Sequence, residues 1–351
     1  MARELTVLAA LREALDLEMD RDDSVVLFGE DIVGGAGRDE LDASLGDAWG
    51  GPFGVTKGLG PKYGRGRVVD TQIAETGFVG ASIGAAFAGL RPVAELMYVD
   101  FLGACYDQLI NQASKLRYVY GAKTSIPMVL RTVVGAGFRA GNEHSQTFYP
   151  LIGHIPGLKA VAPSNPADAK GLLAAAIRDD DPVVMFEHKR MYMRTGVVPE
   201  ESYTIPIGVA ATPRQGRDVT IVALQRMVPE ALDAAETLAD NGIDAEVIDL
   251  RSVSPLDERT VLDSVARTGR LVIADESYPR HSVASEISSI VAEHAFGSLL
   301  APIAKVLPPN TPVPFSPPLE DAWLPSAPQI LEAVQRTLGH DATTSVGSSH
   351  A

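Results

Sequence analysis

Apolar positions recur at helical spacing through Val7, Leu8, Leu11, Ala14, Leu15 and Met19 and stop in the charged run 20–23. With Thr6 as a cap this predicts a helix, and the apolar run Val25-Val26-Leu27-Phe28 behind it predicts a buried strand. Residues 29–61 are rich in glycine and interrupted by acids and Pro52, which predicts a long loop with one short helical turn. Strand patterns follow at 67–69, 92–97, 126–131, 159–162 and 182–187. Helical patterns lie between them at 79–89, 104–116 and 166–178, the last with Pro166 at its start. Strands alternating with helices predict a parallel sheet covered on both faces.

The periodicity breaks around Pro199, Glu200-Glu201 and Pro206, so a linker is expected at 191–206 between a first domain, 1–190, and a second, 207–338. In the second domain, strands at 219–223, 245–249 and 271–274 alternate with helices at 228–241, 256–267 and 283–295. The six prolines within 308–318 force an extended segment. Residues 339–351 are small, polar and aperiodic, which predicts a disordered tail.

Composition narrows the class. With 46% hydrophobic and 21% charged residues the chain reads as globular, and no stretch approaches the ~18 apolar residues of a membrane span. No basic region followed by an apolar run opens it, so a cytoplasmic location is expected. The net charge of −15 argues against nucleic acid and anionic membranes and for a basic protein partner. The single cysteine, Cys105, has apolar neighbours and reads as a buried small hydrophobe.

Candidate chemistry centres on 70–80, DTQIAETGFVG, where Glu75 stands between a strand end and a helix of very small residues. A carboxylate at the mouth of a close-packed crevice is a candidate acid or base, while the plainer account is a charge favouring the helix dipole from the first turn. His144, in Glu143-His144-Ser145-Gln146 after a glycine-rich loop, suits a proton shuttle, against the plainer account of a surface histidine. His281 is a weaker candidate of the same kind. Asp179-Asp180-Asp181 reads as a helix end in solvent, although carboxylates and carbonyls together can hold a hard cation. Zinc spacings, a P-loop and a G-x-G-x-x-G after a strand are all missing.

Read together, the motifs resemble the β subunit of the thiamine-diphosphate-dependent first component of 2-oxo acid dehydrogenase complexes. The resemblance rests on Phe28-Gly29-Glu30-Asp31, Gly58-Leu59, Arg67-Val68-Val69-Asp70-Thr71, Ile73-Ala74-Glu75, Arg91-Pro92-Val93-Ala94-Glu95, Asp107-Gln108, Arg131, His144-Ser145-Gln146 and Pro156-Gly157-Leu158-Lys159. It continues through Asp168-Ala169-Lys170-Gly171, Glu246-Val247-Ile248-Asp249-Leu250-Arg251, Ser254-Pro255-Leu256-Asp257 and Thr268-Gly269-Arg270. Within the family the chain looks most like acetoin dehydrogenase β subunits, on Gly34-Gly35-Ala36-Gly37-Arg38-Asp39, Asp47-Ala48-Trp49, Met97 and Thr311-Pro312-Val313-Pro314. It departs at His281, where a cysteine is usual, and at Leu224-Gln225-Arg226, where a Tyr-Gly-containing segment is usual.

The resemblance implies two three-layer α/β domains with mostly parallel sheets, a transketolase-like pyrimidine-binding domain and a transketolase C-terminal-like domain. It implies that Glu75 hydrogen-bonds the aminopyrimidine of thiamine diphosphate, that Phe101 packs on its face, and that Ile73 and Met97 line its pocket. His144 would serve proton transfers or hold the partner's loop as the acyl group passes to a lipoyl arm. A potassium ion would be held mostly by backbone carbonyls at Met128, Ala176, Ile177, Asp179 and Asp181. No GDG motif for Mg²⁺ and diphosphate occurs, so that half of the site is expected on an α subunit in an α2β2 heterotetramer. The acidic second domain is expected to dock the basic subunit-binding domain of a dihydrolipoamide acyltransferase core. Acetoin is the expected substrate, with pyruvate or a branched-chain 2-oxo acid as alternatives. A self-sufficient transketolase and a non-catalytic β-like scaffold are the competing classes.

Overall fold

The computed structural model of the chain describes residues 3–33 and 50–339. The motif stretches 34–39 and 47–49 and the tail from 340 onward lie outside the described residues. In chain order the first elements are β1 (Arg3–Thr6), α1 (Val7–Arg21), β2 (Val25–Glu30), α2 (Leu59–Tyr63), β3 (Val68–Thr71), α3 (Glu75–Phe87), β4 (Arg91–Leu96), α4 (Leu102–Asp107), α5 (Leu116–Val119) and β5 (Val129–Val134). Next come α6 (Tyr149–Gly153), β6 (Lys159–Val161), α7 (Pro166–Arg178), β7 (Val183–His188) and β8 (Thr195–Val198). The second half contributes β9 (Ala211–Arg214), β10 (Val219–Ala223), α8 (Met227–Asp240), β11 (Ala245–Asp249), β12 (Ser252–Ser254), α9 (Glu258–Thr268) and β13 (Leu271–Ala274). It ends with α10 (Val283–His294), β14 (Ala304–Val306), α11 (Pro317–Trp323) and α12 (Ala327–Thr337).

Two compact units result. The first runs to Gly208 and takes back Arg251–Pro255; the second holds the rest. The first unit's sheet has the order β12-β6-β7-β5-β4-β2-β3, parallel throughout except for β12 at the edge. The stretch expected as a linker, 191–206, belongs to this unit, and its β8 pairs antiparallel with β1. In the second unit the order is β14-β13-β10-β11-β9, with only β9 antiparallel. Two mostly parallel α/β sheets are the architecture the alternating pattern predicts.

Local rules explain many of the element ends. Thr6 accepts from the Ala9 N–H at 3.1 Å and starts α1. Asn165 caps α7 through the Asp168 N–H, with Pro166 at the position where a missing N–H costs nothing. Both helices turn their apolar stripes inward, so that Leu11, Leu15 and Met19 share a core with Leu172, Leu173 and Ile177. The expected helix 104–116 divides instead into α4, a π-helical turn Gln108–Ala113 and α5. There a Cβ added at Gly80 of α3 would come 3.1 Å from Gln108 Oε1, so the small residue lets the two segments close up.

In the second unit Val219, Ile221, Val247, Val272, Ile330 and Val334 form the core. Arg226 is buried there, its Nε 2.5 Å from Glu276 Oε2 and its Nη2 donating to the Pro325 carbonyl at 2.7 Å. Gln225 and the exposed His281 take positive φ angles of 44° and 53°, conformations that favour glycine.

Candidate active site

In the first unit the chain runs from β2 outward to β3 and then returns to β4 on the other side of β2. The strand order reverses there, and in open parallel sheets the crevice beyond the carboxyl ends at such a reversal is where ligands bind. Glu30 closes β2, Asp70 and Thr71 close β3, and Met97 follows β4. A link of three residues after β3 delivers Glu75 as the first residue of α3. Its place in the first turn is what the helix-dipole account requires, and the same place puts it within electrostatic reach of Glu30, the last residue of β2.

What surrounds Glu75 goes beyond that account. Glu30 is part-buried, and its Oε1 has no hydrogen-bond partner. Burial, together with the charges of Glu75, Asp31 and Glu95, pushes its carboxyl up to about 7. The thiol of Cys105, buried as expected, is pushed up to about 12 by burial and by Glu75. Asp70 Oδ2 and Thr71 Oγ1 are likewise buried without partners, although Asp70 Oδ1 accepts the Val33 N–H at 2.6 Å. Buried polar atoms left unpaired are costly, and three of them lie at this one end of the sheet, where a bound molecule could satisfy them.

Beneath the crevice the charges are matched. Arg131 of β5, 2% exposed, donates to both oxygens of Glu187, at 2.7 and 2.8 Å, and through Nη1 to Glu95. Tyr192 OH adds a bond to Glu187 Oε2 at 2.7 Å. Burial pushes the Glu95 carboxyl up, against the pull of Arg131.

Phe101 and His144 are brought together. Their rings meet edge to face with centroids 5.5 Å apart, and Tyr98 packs on the same imidazole at 4.8 Å. Met97 is 8% exposed, whereas Ile73, at 82%, stands bare at the rim. Asp100, in the turn between Tyr98 and Phe101, accepts the Gln146 N–H at 3.2 Å and its Nε2 at 3.0 Å, while its Oδ2 stays buried and unpaired. Sequence reasoning placed Glu30 within a motif and gave it no role, and it passed over Tyr98, Asp100 and Lys189. A carboxylate ending a strand at the sheet reversal was the available signal for Glu30.

The residues named for potassium lie at the opposite end of the sheet. Arg91 Nη1 donates to the carbonyls of Ile177 and Asp179, each at 3.0 Å, and Nη2 to Asp180 Oδ1 at 2.7 Å. The Met128 carbonyl takes the Val183 N–H and that of Ala176 takes the Asp179 N–H. Lys159 Nζ sits 2.8 and 2.7 Å from the Asp179 oxygens and 3.2 Å from Asp181, which also pairs with Arg117. These hydrogen bonds use one lone pair of the Met128 and Ala176 carbonyls, and the Asp179 and Asp181 carboxylates already face Lys159 and Arg117.

The chain matches the family model for the transketolase pyrimidine-binding domain over residues 3–195 and that for the transketolase C-terminal domain over 208–330. A solved split-gene transketolase, described as an inactive β4 tetramer, superposes with a TM-score of 0.73 at 21% identity, covering 95% of this chain and 98% of that one. The fold is therefore of the transketolase class. The chain is 56% identical to the β subunit of acetoin:2,6-dichlorophenolindophenol oxidoreductase of Cupriavidus necator, over 96% of this chain and 98% of the relative. Identity to the Bacillus subtilis subunit of the same name is 52%, over 97% and 99%. Identity to the mitochondrial pyruvate dehydrogenase E1 component subunit β-1 of Arabidopsis thaliana is 42%, over 95% and 90%. The chain belongs to the family of β subunits of thiamine-diphosphate-dependent dehydrogenase first components.

Proposed function

We propose that this chain is the activating half of a first component that cleaves acetoin and passes the acyl group to the lipoyl arms of an acyltransferase core. The observation that carries the substrate assignment is the step in identity, 56% and 52% to the acetoin subunits against 42% to the pyruvate subunit. Thiamine diphosphate supplies the electron sink for the cleaved bond when it is bound. The crevice fits its aminopyrimidine on this chain's own chemistry: a carboxylate, Glu75, at a mouth crowded with other acids, an aromatic face at Phe101, and apolar walls at Met97 and Ile73. Glu75 hydrogen-bonds a ring nitrogen of the aminopyrimidine, and so takes part in switching the cofactor on. His144 serves proton transfer or holds the partner's loop as the acyl group passes to a lipoyl arm.

In this reading an α subunit supplies the diphosphate and Mg²⁺ half, in an α2β2 assembly. The bare Ile73 and the exposed Phe87, Tyr118, Val119 and Tyr120 are the surface we assign to subunit contact. The acidic net charge suits docking of a basic subunit-binding domain of the dihydrolipoamide acyltransferase. We place the protein in the cytoplasm; among the described residues no helix is long and apolar enough to cross a membrane.

The test is to co-express the chain with its α partner and follow reduction of an artificial acceptor with acetoin, pyruvate and branched-chain 2-oxo acids. The expected result is fastest turnover with acetoin. Faster turnover of pyruvate or a branched-chain acid would move the assignment to that dehydrogenase.

A further inference from the structure

Under the His144 loop lies a lysine to which the reading above gives no part. Lys189 follows β7 in a short 3₁₀ turn, Lys189–Met191, and is 2% exposed. An ammonium so far from water is costly unless acceptors are built around it. Its Nζ donates to the His144 carbonyl, lies 3.5 Å from Ser145 Oγ and sits 5.5 Å from the centroid of the Tyr98 ring, within cation–π range. That ring is the one packed on the His144 imidazole. Lys189 therefore holds both the backbone that carries the imidazole and a surface on which it rests.

The rest of the loop is held from other sides. Asp100 takes the Gln146 N–H, and the Gly135 N–H donates to the Gln146 carbonyl at 3.1 Å. Gly135, Gly137 and Gly141 all have positive φ angles, so the stretch leading to His144 has little stiffness of its own. At Gly135 a Cβ would lie 2.1 Å from His188 Nε2, so the loop closes directly over the residue before Lys189.

We propose that Lys189 is a positioning residue for His144: it fixes the imidazole for proton transfer by gripping the His144 carbonyl and the Tyr98 ring together. The proposal rests on the proton-transfer reading of His144. It differs from a packing role in that the lysine should matter only while the histidine is present.

The test uses the reconstituted complex with its α partner and acyltransferase core, comparing Lys189→Met, Lys189→Arg, His144→Asn and the double variant Lys189→Met/His144→Asn. Lys189→Met is expected to lower kcat for transfer to the lipoyl acceptor about 10- to 100-fold, the size of effect a displaced reacting group produces, with KM for substrate nearly unchanged. Lys189→Arg should recover part of that loss. The double variant should be no slower than His144→Asn alone, because residues acting as one unit are non-additive. Multiplying losses, or an unchanged rate in Lys189→Met beside a slow His144→Asn, would overturn the role of Lys189 alone. Full activity in His144→Asn would overturn the reading of the histidine and this proposal with it. If Lys189→Met does not assemble, Lys189→Arg carries the same test, a kcat loss that vanishes on the His144→Asn background.

Discussion

The two ends of the first unit's parallel sheet treat their carboxylates in opposite ways. At the amino end, Asp179, Asp180 and Asp181 are met by Lys159, Arg91 and Arg117. At the carboxyl end, Glu30 Oε1, Asp70 Oδ2, Thr71 Oγ1 and Asp100 Oδ2 have no partners. The same fold could have matched both, since Arg131 matches Glu95 and Glu187 between them. Unpaired buried acids are a stability cost, and we propose that this end keeps them for a ligand while the other end serves cohesion.

The sharpest way to break this contrast is Glu75→Gln in the reconstituted complex. Turnover should fall at least about 1,000-fold, within the range of lost acid–base catalysis, while the melting temperature of the free chain barely moves. Retained activity would favour the scaffold reading. At the matched centre the order of effects reverses. Arg131→Met strands Glu95 and Glu187 without their cation and should cost about 3–5 kcal/mol in urea unfolding of the free chain, since one partner of a buried ion network cannot be removed cheaply. A loss under about 1 kcal/mol would mean that water already shields these acids.

Glu30 gives a pH signature. Its carboxyl is raised from the ordinary 4.5 to about 7, so the folded chain keeps a proton that the unfolded chain has already released. The stability this contributes is fully present below about 4.5 and is lost as pH rises through about 7. Glu30→Gln should therefore flatten the melting-temperature profile over that window, raising stability at pH 8 and leaving pH 4 unchanged. An identical slope in both proteins would show that Glu30 ionises freely. The smallest effect belongs to the amino end. Exchanging potassium for choline should shift melting by less than about 2 °C, because Arg91 and Lys159 already supply cationic charge at this turn and a bound ion stabilises only in proportion to the logarithm of its concentration over its Kd. A shift of 5 °C or more would place an ion on the Asp179 turn after all.

Elements defined by their own residues were legible in the sequence. The helix 166–178 and the strands 219–223, 245–249 and 271–274 fall at the bounds that periodicity, caps and prolines give. Elements defined by distant partners were not. β8 exists because β1 lies across from it, and β12 because β6 does, so the stretches 195–198 and 252–254 read as linker and loop. Expected at 126–131, β5 begins at Val129, beyond Pro127, which has no N–H for a ladder. Glu75 and His144 stood out by their neighbours in sequence. The weight of Glu30 comes first from burial and then from Glu75, Asp31 and Glu95, and that of Lys189 from His144 and Tyr98; burial and the distant partners arise only in the folded sheet and loop.

If the unmatched end is half of a cofactor site, cofactor binding needs both chains. Calorimetric titration of thiamine diphosphate and Mg²⁺ into the purified chain, alone and then with its α partner, tests it most directly. No binding by the lone chain is expected up to about 1 mM, an affinity of only about −4 kcal/mol, and clear binding is expected once the α subunit is added. Micromolar binding by the lone chain would contradict it.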